Sequence, residues 1–559
     1  MNNAATRIVL PAMAIIALTA STLPAARPGG KAAKARAAKA KRPKRQVQYK
    51  KPTREVVTLI ASGQADEAVK RCRAFLAGKP KDTEHRFLLA MAYANLKQID
   101  KAVEAMKAAI DVGVPFERFL AGPRDLLAPL TSSEAFRKYA AGRKTASPAI
   151  LQGPMLGTMT DRSVRIWVRT SVEVQVSAWA AVGRDIRAKK PTRLIKSEPV
   201  KTIAADDYTA VIEITALAPD TEYLYGVMVD GKAVWPLKNM TFRTFSAPDK
   251  ASVFTIAFGG GAGYTPWREH MWTTIDKRNP RALLLLGDNV YIDTPRVPQT
   301  QRYCYYRRQS RPEFRALTAK TPVYAIYDDH DFGTNDCVPG PDIDAPPWKR
   351  PVWKLFTENW VNPYYGGGAK QPGCWFDFRV GDVDFIMLDG RYYRNKPKRG
   401  AASSMLGAAQ KKWLFGKLKA AKGTFKVLCS PVPWTFEAKG ASGDTWNGFR
   451  EERNEIFAFL AAHKVDGVIL LSADRHRSDA WKLERPDGYP LYEFESSRLT
   501  NIHVHANQPG SLFSYNAKNS YGRVTFDTTK SDPTVTYEIF SVDDEQIRSF
   551  TIKKSQIRH

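Results

Sequence analysis

A chain of 559 residues exceeds what one hydrophobic core can hold, so a single-domain protein is excluded and two to four domains are expected. Hydrophobic residues at 43% and charged residues at 25% are ordinary for soluble globular protein and exclude a largely disordered chain. The formal net charge of +29 favours a polyanionic or phosphate-bearing partner.

The first residues, MNNAATRIVLPAMAIIALTASTLPAA, carry one positive charge at Arg7, an apolar run from Ile8 to Ala20 and small residues near Ala25. That is the pattern of a secretory signal peptide over residues 1–26, so the mature chain is expected outside the cytoplasm, periplasmic, extracellular or envelope-associated. The run is short for a membrane span, and no span is expected in the mature chain. Residues 27–54 hold twelve Lys or Arg and no acid, which predicts a disordered linker. Two readings of it stand: a solvated, self-repelling tail, or a tail drawn to anionic lipid, wall polymer or nucleic acid. A specific nucleic-acid reader is not indicated, because no helix-turn-helix or finger pattern follows.

From residue 55 to 145 the pattern is helical, and DEAV at Asp66–Val69 returns 34 residues later as DKAV at Asp100–Val103. With Leu89, Tyr93 and Leu96 on one face, the segment resembles tetratricopeptide repeats, as a stub packed on its neighbour or as a peptide groove. Over residues 148–246 the period drops to two in SVRIWVRT, VQVSAWAAV, TAVIEIT and TEYLYGVMV, which predicts a β-sandwich. LAPDTEYLY resembles the strand corner of fibronectin type III domains. Five cysteines without CxxC spacing (Cys72, Cys304, Cys337, Cys374, Cys429) predict no disulfide framework, although export permits a bridge among Cys304, Cys337 and Cys374.

Residues 250–559 contain apolar runs that end in polar residues: ALLLLGDNVY, TPVYAIYDDHD, VDFIMLDGR, FKVLCSPVPW and VDGVILLSADRH. Runs of this kind are strands buried on both faces, and layered α/β folds gather ligands at the carboxyl ends of such strands. Those ends hold Asp288, Asp328, Asp329, His330, Asp331, Asp474 and His476. Clustered carboxylates with imidazole donors in a partly buried cleft call for cations, with Fe, Mn, Zn or Ca fitting the mixed oxygen and nitrogen set.

GDNVY, YDDHD, LDGR and SADRHRSD, in this order and each after a strand, resemble the PhoD-like alkaline phosphatases and phosphodiesterases of the calcineurin-like metallophosphoesterase superfamily. The resemblance implies an α/β fold: a four-layer α-β-β-α metallophosphoesterase domain preceded by a fibronectin III-like β-sandwich and a short helical repeat region. It implies two or more metal ions, Fe and/or Ca, with Zn or Mn as further choices. Their ligands fall on Asp288, Tyr291, Asp329, Asp474 and His476, with Asp328 an outer partner or an added ligand. His330 falls on the catalytic acid, with Asp331 expected to orient it. Arg391 and Arg475 are candidates to grip phosphoryl oxygens. One departure stands out: the family commonly has a Cys just after its first strand, where FGGGAGY places Gly261. The glycine run is read either as a backbone cradle for an anion or as a tight turn.

The function so implied is hydrolysis of phosphate mono- or diesters by metal-activated hydroxide attacking phosphorus, with His330 protonating the leaving oxygen. The alternative is an exported binding or scaffold protein on an inactive phosphoesterase fold. Trp353, Trp360, Tyr364 and Tyr365 are read as a cleft wall or as packing.

Overall fold

The computed structural model describes residues 50–143, 149–182, 194–235, 240–396 and 402–559. The signal peptide expected over residues 1–26 and the basic segment over residues 27–49 lie outside the described residues. The last residues of the expected linker are not linker: Lys50–Ala61 is a helix, with Pro52 in its first turn. Val56, Val57 and Ile60 bury one side of it, and Arg54 is buried with them.

Helices Ala65–Gly78, Thr83–Asn95 and Ile99–Asp111 follow, and the two DEAV-type strings open the first and third of these at the same point. Asp82 caps Thr83–Asn95 by accepting the His85 backbone N–H at 2.8 Å. That helix is buried nearly all round rather than along the one stripe through Leu89, Tyr93 and Leu96. The reason is its position against Ala65–Gly78, Ile99–Asp111 and Arg124–Thr131 together.

Two antiparallel sheets come next. β1 (Ile150–Gly157), β2 (Val164–Thr170) and β6 (Thr209–Ile214) form one, with β2 central. β3 (Gln175–Val182), β4 (Ile195–Lys196), β5 (Val200–Lys201), β7 (Glu222–Val229), β8 (Lys232–Trp235) and β9 (Thr241–Arg243) form the other. Tyr223, from LAPDTEYLY, is buried, and its hydroxyl accepts the Ala218 backbone N–H at 2.8 Å, which ties down the preceding loop.

The remaining strands make two larger sheets. In the first, β10 (Val253–Gly259), β11 (Ala282–Leu286) and β12 (Val323–Ile326) run parallel, and β20 (Ser520–Asp527), β21 (Thr534–Ser541) and β22 (Gln546–Lys553) extend it antiparallel beside β10. In the second, β14 (Val383–Met387), β15 (Phe425–Cys429), β16 (Val468–Ser472) and β18 (Leu491–Ser496) are parallel. β13 (Phe376–Val380), β17 (Ser478–Leu483) and β19 (Phe513–Tyr515) close its edges. The sheets pack on each other through rings: Phe385 of β14 and Phe425 of β15 meet Phe526 of β20, and Phe494 of β18 stacks on Tyr537 of β21 at 4.5 Å. The parallel strands of both sheets therefore end toward one edge, where the next residues are Asp288, Asp328, Asp389, Asp474 and Arg498. Every cysteine is a free thiol, so no bridge joins Cys304, Cys337 and Cys374. No helix among the described residues is long and apolar enough to cross a membrane.

Candidate functional site

The site begins with glycine. After β11 the chain turns through Gly287 at φ 104°, where an added Cβ would lie 2.6 Å from the Asp328 Cβ. Only a residue without a side chain lets the ends of β11 and β12 approach this closely. Asp288, Tyr291, Asp293, Asp474 and His476 then adopt left-handed backbone angles of φ 56°, 55°, 52°, 72° and 49°. Such angles cost non-glycine residues on the order of 1–2 kcal/mol each and gather where surrounding structure enforces them for a purpose.

Asp331 holds the turn after β11. Its carboxylate accepts the backbone N–H groups of Asn289 and Val290, each at 2.9 Å. The expectation that Asp331 orients His330 is therefore corrected: the partner of His330 Nδ1 is Asp293, five residues beyond Asp288. Tyr291 stacks on the His330 ring at 4.6 Å; its hydroxyl accepts a 2.6 Å hydrogen bond from Asn501 and lies 3.5 Å from His476 Nε2.

Asp288, Asp329 and His330 bring ligand atoms within 4.8 Å of one another. Asp288 is 2% exposed, and no hydrogen bond of regular geometry ends on its carboxylate oxygens, with the Tyr291 hydroxyl a neighbour that interacts with them. Burial pushes that carboxyl well above the usual range, and Asp329, Asp328 and Asp331 add their repulsion against the pull of His330. Burial likewise pushes Asp328 up to about 8 although Arg391 draws it down. Burial opposes a charge on His330, yet the carboxylates of Asp288, Asp329 and Asp293 outweigh it and raise the imidazole to about 10. Buried carboxylate oxygens at the convergence of several acids are the donor set that fits hard or borderline cations.

Arg391 does not face the cavity. Its guanidinium is fully buried, donating Nε to Asp328 and its two terminal nitrogens to Asp444 at 2.8 and 3.0 Å. It is a clamp on the acids, and its fork is spent. The anion cradle expected around Gly261 is also corrected, because the N–H groups of Gly260, Gly261 and Ala262 already donate to the carbonyls of Ser496, Gly287 and Asp288. Gly261, at φ 67°, has the Arg498 backbone nitrogen 2.8 Å from where a Cβ would sit, so the tight-turn reading holds and no side chain fits there.

A cavity of about 420 Å³ opens over the cluster and is lined by Asp329, His330, Asp474, Arg475 and His476. Residues not singled out from the sequence complete it: Asn335, Asp336, Lys439, Asn501, Ile502, His503 and His505. Lys439 Nζ lies 3.3–3.5 Å from Asp336, Asp444 and Asp474. A larger cavity of about 630 Å³ lies elsewhere, along Phe436, Phe457 and Trp481, and contains none of the clustered acids, so the chemistry belongs to the smaller one. The four aromatics read as a wall or as packing are packing: Trp360 is buried against Tyr305, Phe314 and Phe356, and none of the four lines this cavity.

Asp293 and Asn501 had sequence signals, the first within GDNVYID and the second in TNIHVH after β18. Lys439, in the long connection after β15, had none.

Three family models match successive stretches of the chain. A tetratricopeptide repeat model matches residues 59–116, and a domain of unknown function matches residues 147–247. Alkaline phosphatase D of Bacillus subtilis (strain 168) is 26% identical over 209 residues, covering 33% of this chain and 35% of that protein, so the aligned stretch spans about a third of the relative. A solved structure of PhoD superposes with a TM-score of 0.61 at 18% identity, over 75% of this chain and 93% of that one. The purple acid phosphatase PPD1 of yellow lupin (Lupinus luteus) seeds gives 0.52 at 13% identity, over 73% and 76%. These two structures carry the mixed α/β fold. The PhoD-like phosphatase model matches residues 256–539, more than half of the sequence and every strand end that carries one of the clustered acids, and this chain belongs to the PhoD-like phosphatase family.

Proposed function

We propose that the chain is an exported, metal-dependent phosphoesterase acting on phosphate mono- or diesters. The observation that carries this reading is the buried Asp288 carboxylate, without a regular hydrogen bond at either oxygen and facing Asp329 and His330 at one strand edge. The relatives' names, alkaline phosphatase D and purple acid phosphatase, support it.

Asp288, Tyr291, Asp329, Asp474 and His476 would hold two or more cations, with Fe, Ca, Zn or Mn compatible with the donors; Asp328 stands behind them in the grip of Arg391. Bound cations would supply neutralisation of phosphoryl charge and lower the pKa of water toward about 7. The rest is done by the chain. Asp293 fixes the tautomer of His330 by holding Nδ1, which leaves Nε2 to give a proton to the leaving oxygen. Arg475, at the cavity wall, is placed to meet a phosphoryl oxygen. The finer architecture we propose is a four-layer α-β-β-α domain behind a fibronectin III-like sandwich; sheet packing through Phe385, Phe526 and Tyr537 and the Tyr223 corner support it. Export rests on the amino-terminal pattern, and attraction of the basic tail to an anionic surface or polymer rests on its charge.

The test is elemental analysis of purified protein together with hydrolysis of para-nitrophenyl phosphate and its bis ester, before and after chelation. Two or more metals per chain with chelator-sensitive turnover is the expected result. A metal-free protein that stays inactive after Fe, Ca, Mn or Zn is added would return the chain to the scaffold alternative.

A further inference from the structure

The helical region is joined to the site by one side chain. Arg54, on helix Lys50–Ala61, donates Nη1 to the Tyr291 carbonyl at 2.6 Å and to the Asp293 carboxylate. Asp293 Oδ1 in turn holds His330 Nδ1, and the backbone N–H groups of Ile292 and Asp293 donate to the His330 carbonyl at 2.6 and 3.2 Å. The arginine side chain is 10% exposed and the Asp293 side chain 21%, so the pair is largely out of water. Its helix is pinned beside the site at two further points: Thr58 meets Thr300 at 3.2 Å, and Arg307 donates to Thr53 at 3.0 Å. Thr300 and Arg307 belong to helix Pro298–Gln309, which begins a few residues after Asp293.

We propose that Arg54 is a positioning residue for the reaction: it fixes Asp293 and the Tyr291–Asp293 turn, and through them the ring of His330, so the helical region is a built-in support of the leaving-group acid. Three arguments converge. Asp293 sits on a left-handed turn, with φ 55° at Tyr291 and 52° at Asp293, a conformation that needs outside support. Arg54 supplies it by binding the backbone of one of these residues and the side chain of the other from a single nitrogen. A carboxylate that has to hold an imidazole in one orientation is itself freed to swing when its second partner is removed. Arg54 touches neither the cavity lining nor the clustered acids, so its effect passes through Asp293 and the Tyr291 backbone.

This inference rests on the phosphoesterase reading for its kinetic test and on geometry alone for its spectroscopic one. In the metal-loaded full chain, Arg54→Ala should slow esters of poor leaving groups, such as alkyl or phenyl phosphates, by about 10- to 100-fold. Para-nitrophenyl esters, whose leaving oxygen needs little protonation, should stay within about threefold per bound metal, with metal content measured in both proteins. Arg54→Lys, which keeps one cationic nitrogen for both acceptors, should recover most of the loss. Asp293→Asn should reproduce the leaving-group selectivity of Arg54→Ala. In a His330→Ala background, Arg54→Ala should add nothing further. Equal slowing of good and poor leaving groups, or a full additional loss without His330, would overturn the proposal. Imidazole ¹⁵N spectra, with His330→Ala as the assignment control, should show the protonated Nδ1 of His330 in the wild type and its exchange-broadening in Arg54→Ala. A wild-type chain that hydrolyses no ester sinks the functional reading, and the spectra then decide the positioning claim: an unchanged His330 signal in Arg54→Ala refutes it.

Discussion

Glu84 offers a test of how firmly the helical region is bound to the catalytic one. It lies on helix Thr83–Asn95, 1% exposed, and its carboxylate accepts both terminal nitrogens of Arg118 and, at 2.6 Å, the hydroxyl of Tyr303 from helix Pro298–Gln309. Burial pushes the carboxyl up, but Arg118 outweighs it and holds Glu84 at about 2 instead of 4.5. That drop corresponds to about 3 kcal/mol of stability at neutral pH. Breaking a buried pair by removing one partner costs about 3–5 kcal/mol, so the two routes to the magnitude agree. Because the folded pKa is depressed, the contribution is complete above 4.5 and disappears as pH falls toward 2. Glu84→Gln should lose about 3 kcal/mol in urea unfolding at pH 7, and the gap to wild type should close across that acid range. Amide exchange in helices Ala65–Gly78 and Thr83–Asn95 should quicken by about 100-fold at neutral pH. A loss below about 1 kcal/mol, or a gap that persists at pH 2, would refute the assignment of a buried, charge-paired anchor.

Asp288→Asn should give a folded chain that retains less metal and loses more than about 1000-fold in turnover, because hydroxide at neutral pH depends on the lowered pKa of bound water. Unchanged metal content by elemental analysis would remove Asp288 from the ligand set. Gly261→Cys should not add a thiolate ligand: with an added Cβ 2.8 Å from the Arg498 nitrogen at φ 67°, about 1–3 kcal/mol should be lost in thermal melts, and iron loading should show no new thiolate absorption. Asp336→Asn should leave metal content unchanged and alter turnover less than about threefold, since Lys439 and the other acids keep their partners.

The strand ends were legible because the strands were. Ala282–Leu286, Val323–Ile326 and Val468–Ser472 are buried on both faces, so their apolar runs stop where the chain leaves the sheet, and the acids that follow stand out. The partner of His330 was not legible. Adjacency suggests Asp331, yet within the short helix Asp329–Phe332 neighbouring side chains point about 100° apart, and Asp331 turns to the β11 loop instead. Arg391 failed for a related reason: a strand-end arginine reads alike whether its fork faces solvent or closes on acids, and here Asp444, from another connection, decides it. The three antiparallel strands β20 to β22 alternate, as in RVTFD and TVTYEI, but carry no acid motif, and alternation alone does not say that they complete the first sheet beside β10.

Charge balance separates the two acidic groups at this edge. Asp329, Asp336 and Asp444 come together as closely as Asp288, Asp329 and His330 do, and by distance alone either group could take a cation. The first is already neutralised: Arg391 and Arg394 both bond Asp444, and Lys439 reaches Asp336 and Asp444. A divalent ion there would have to displace fixed, buried guanidinium groups that cannot give up their charge. In the second, Arg391 also reaches Asp329 at 3.8 Å, whereas the pull on the buried Asp288 carboxyl comes from the imidazole of His330. The arginines therefore leave the least compensated charge on Asp288, beside Tyr291. Cation binding is expected there, and the proposed acid, held by Asp293 and through it by Arg54, stands beside it.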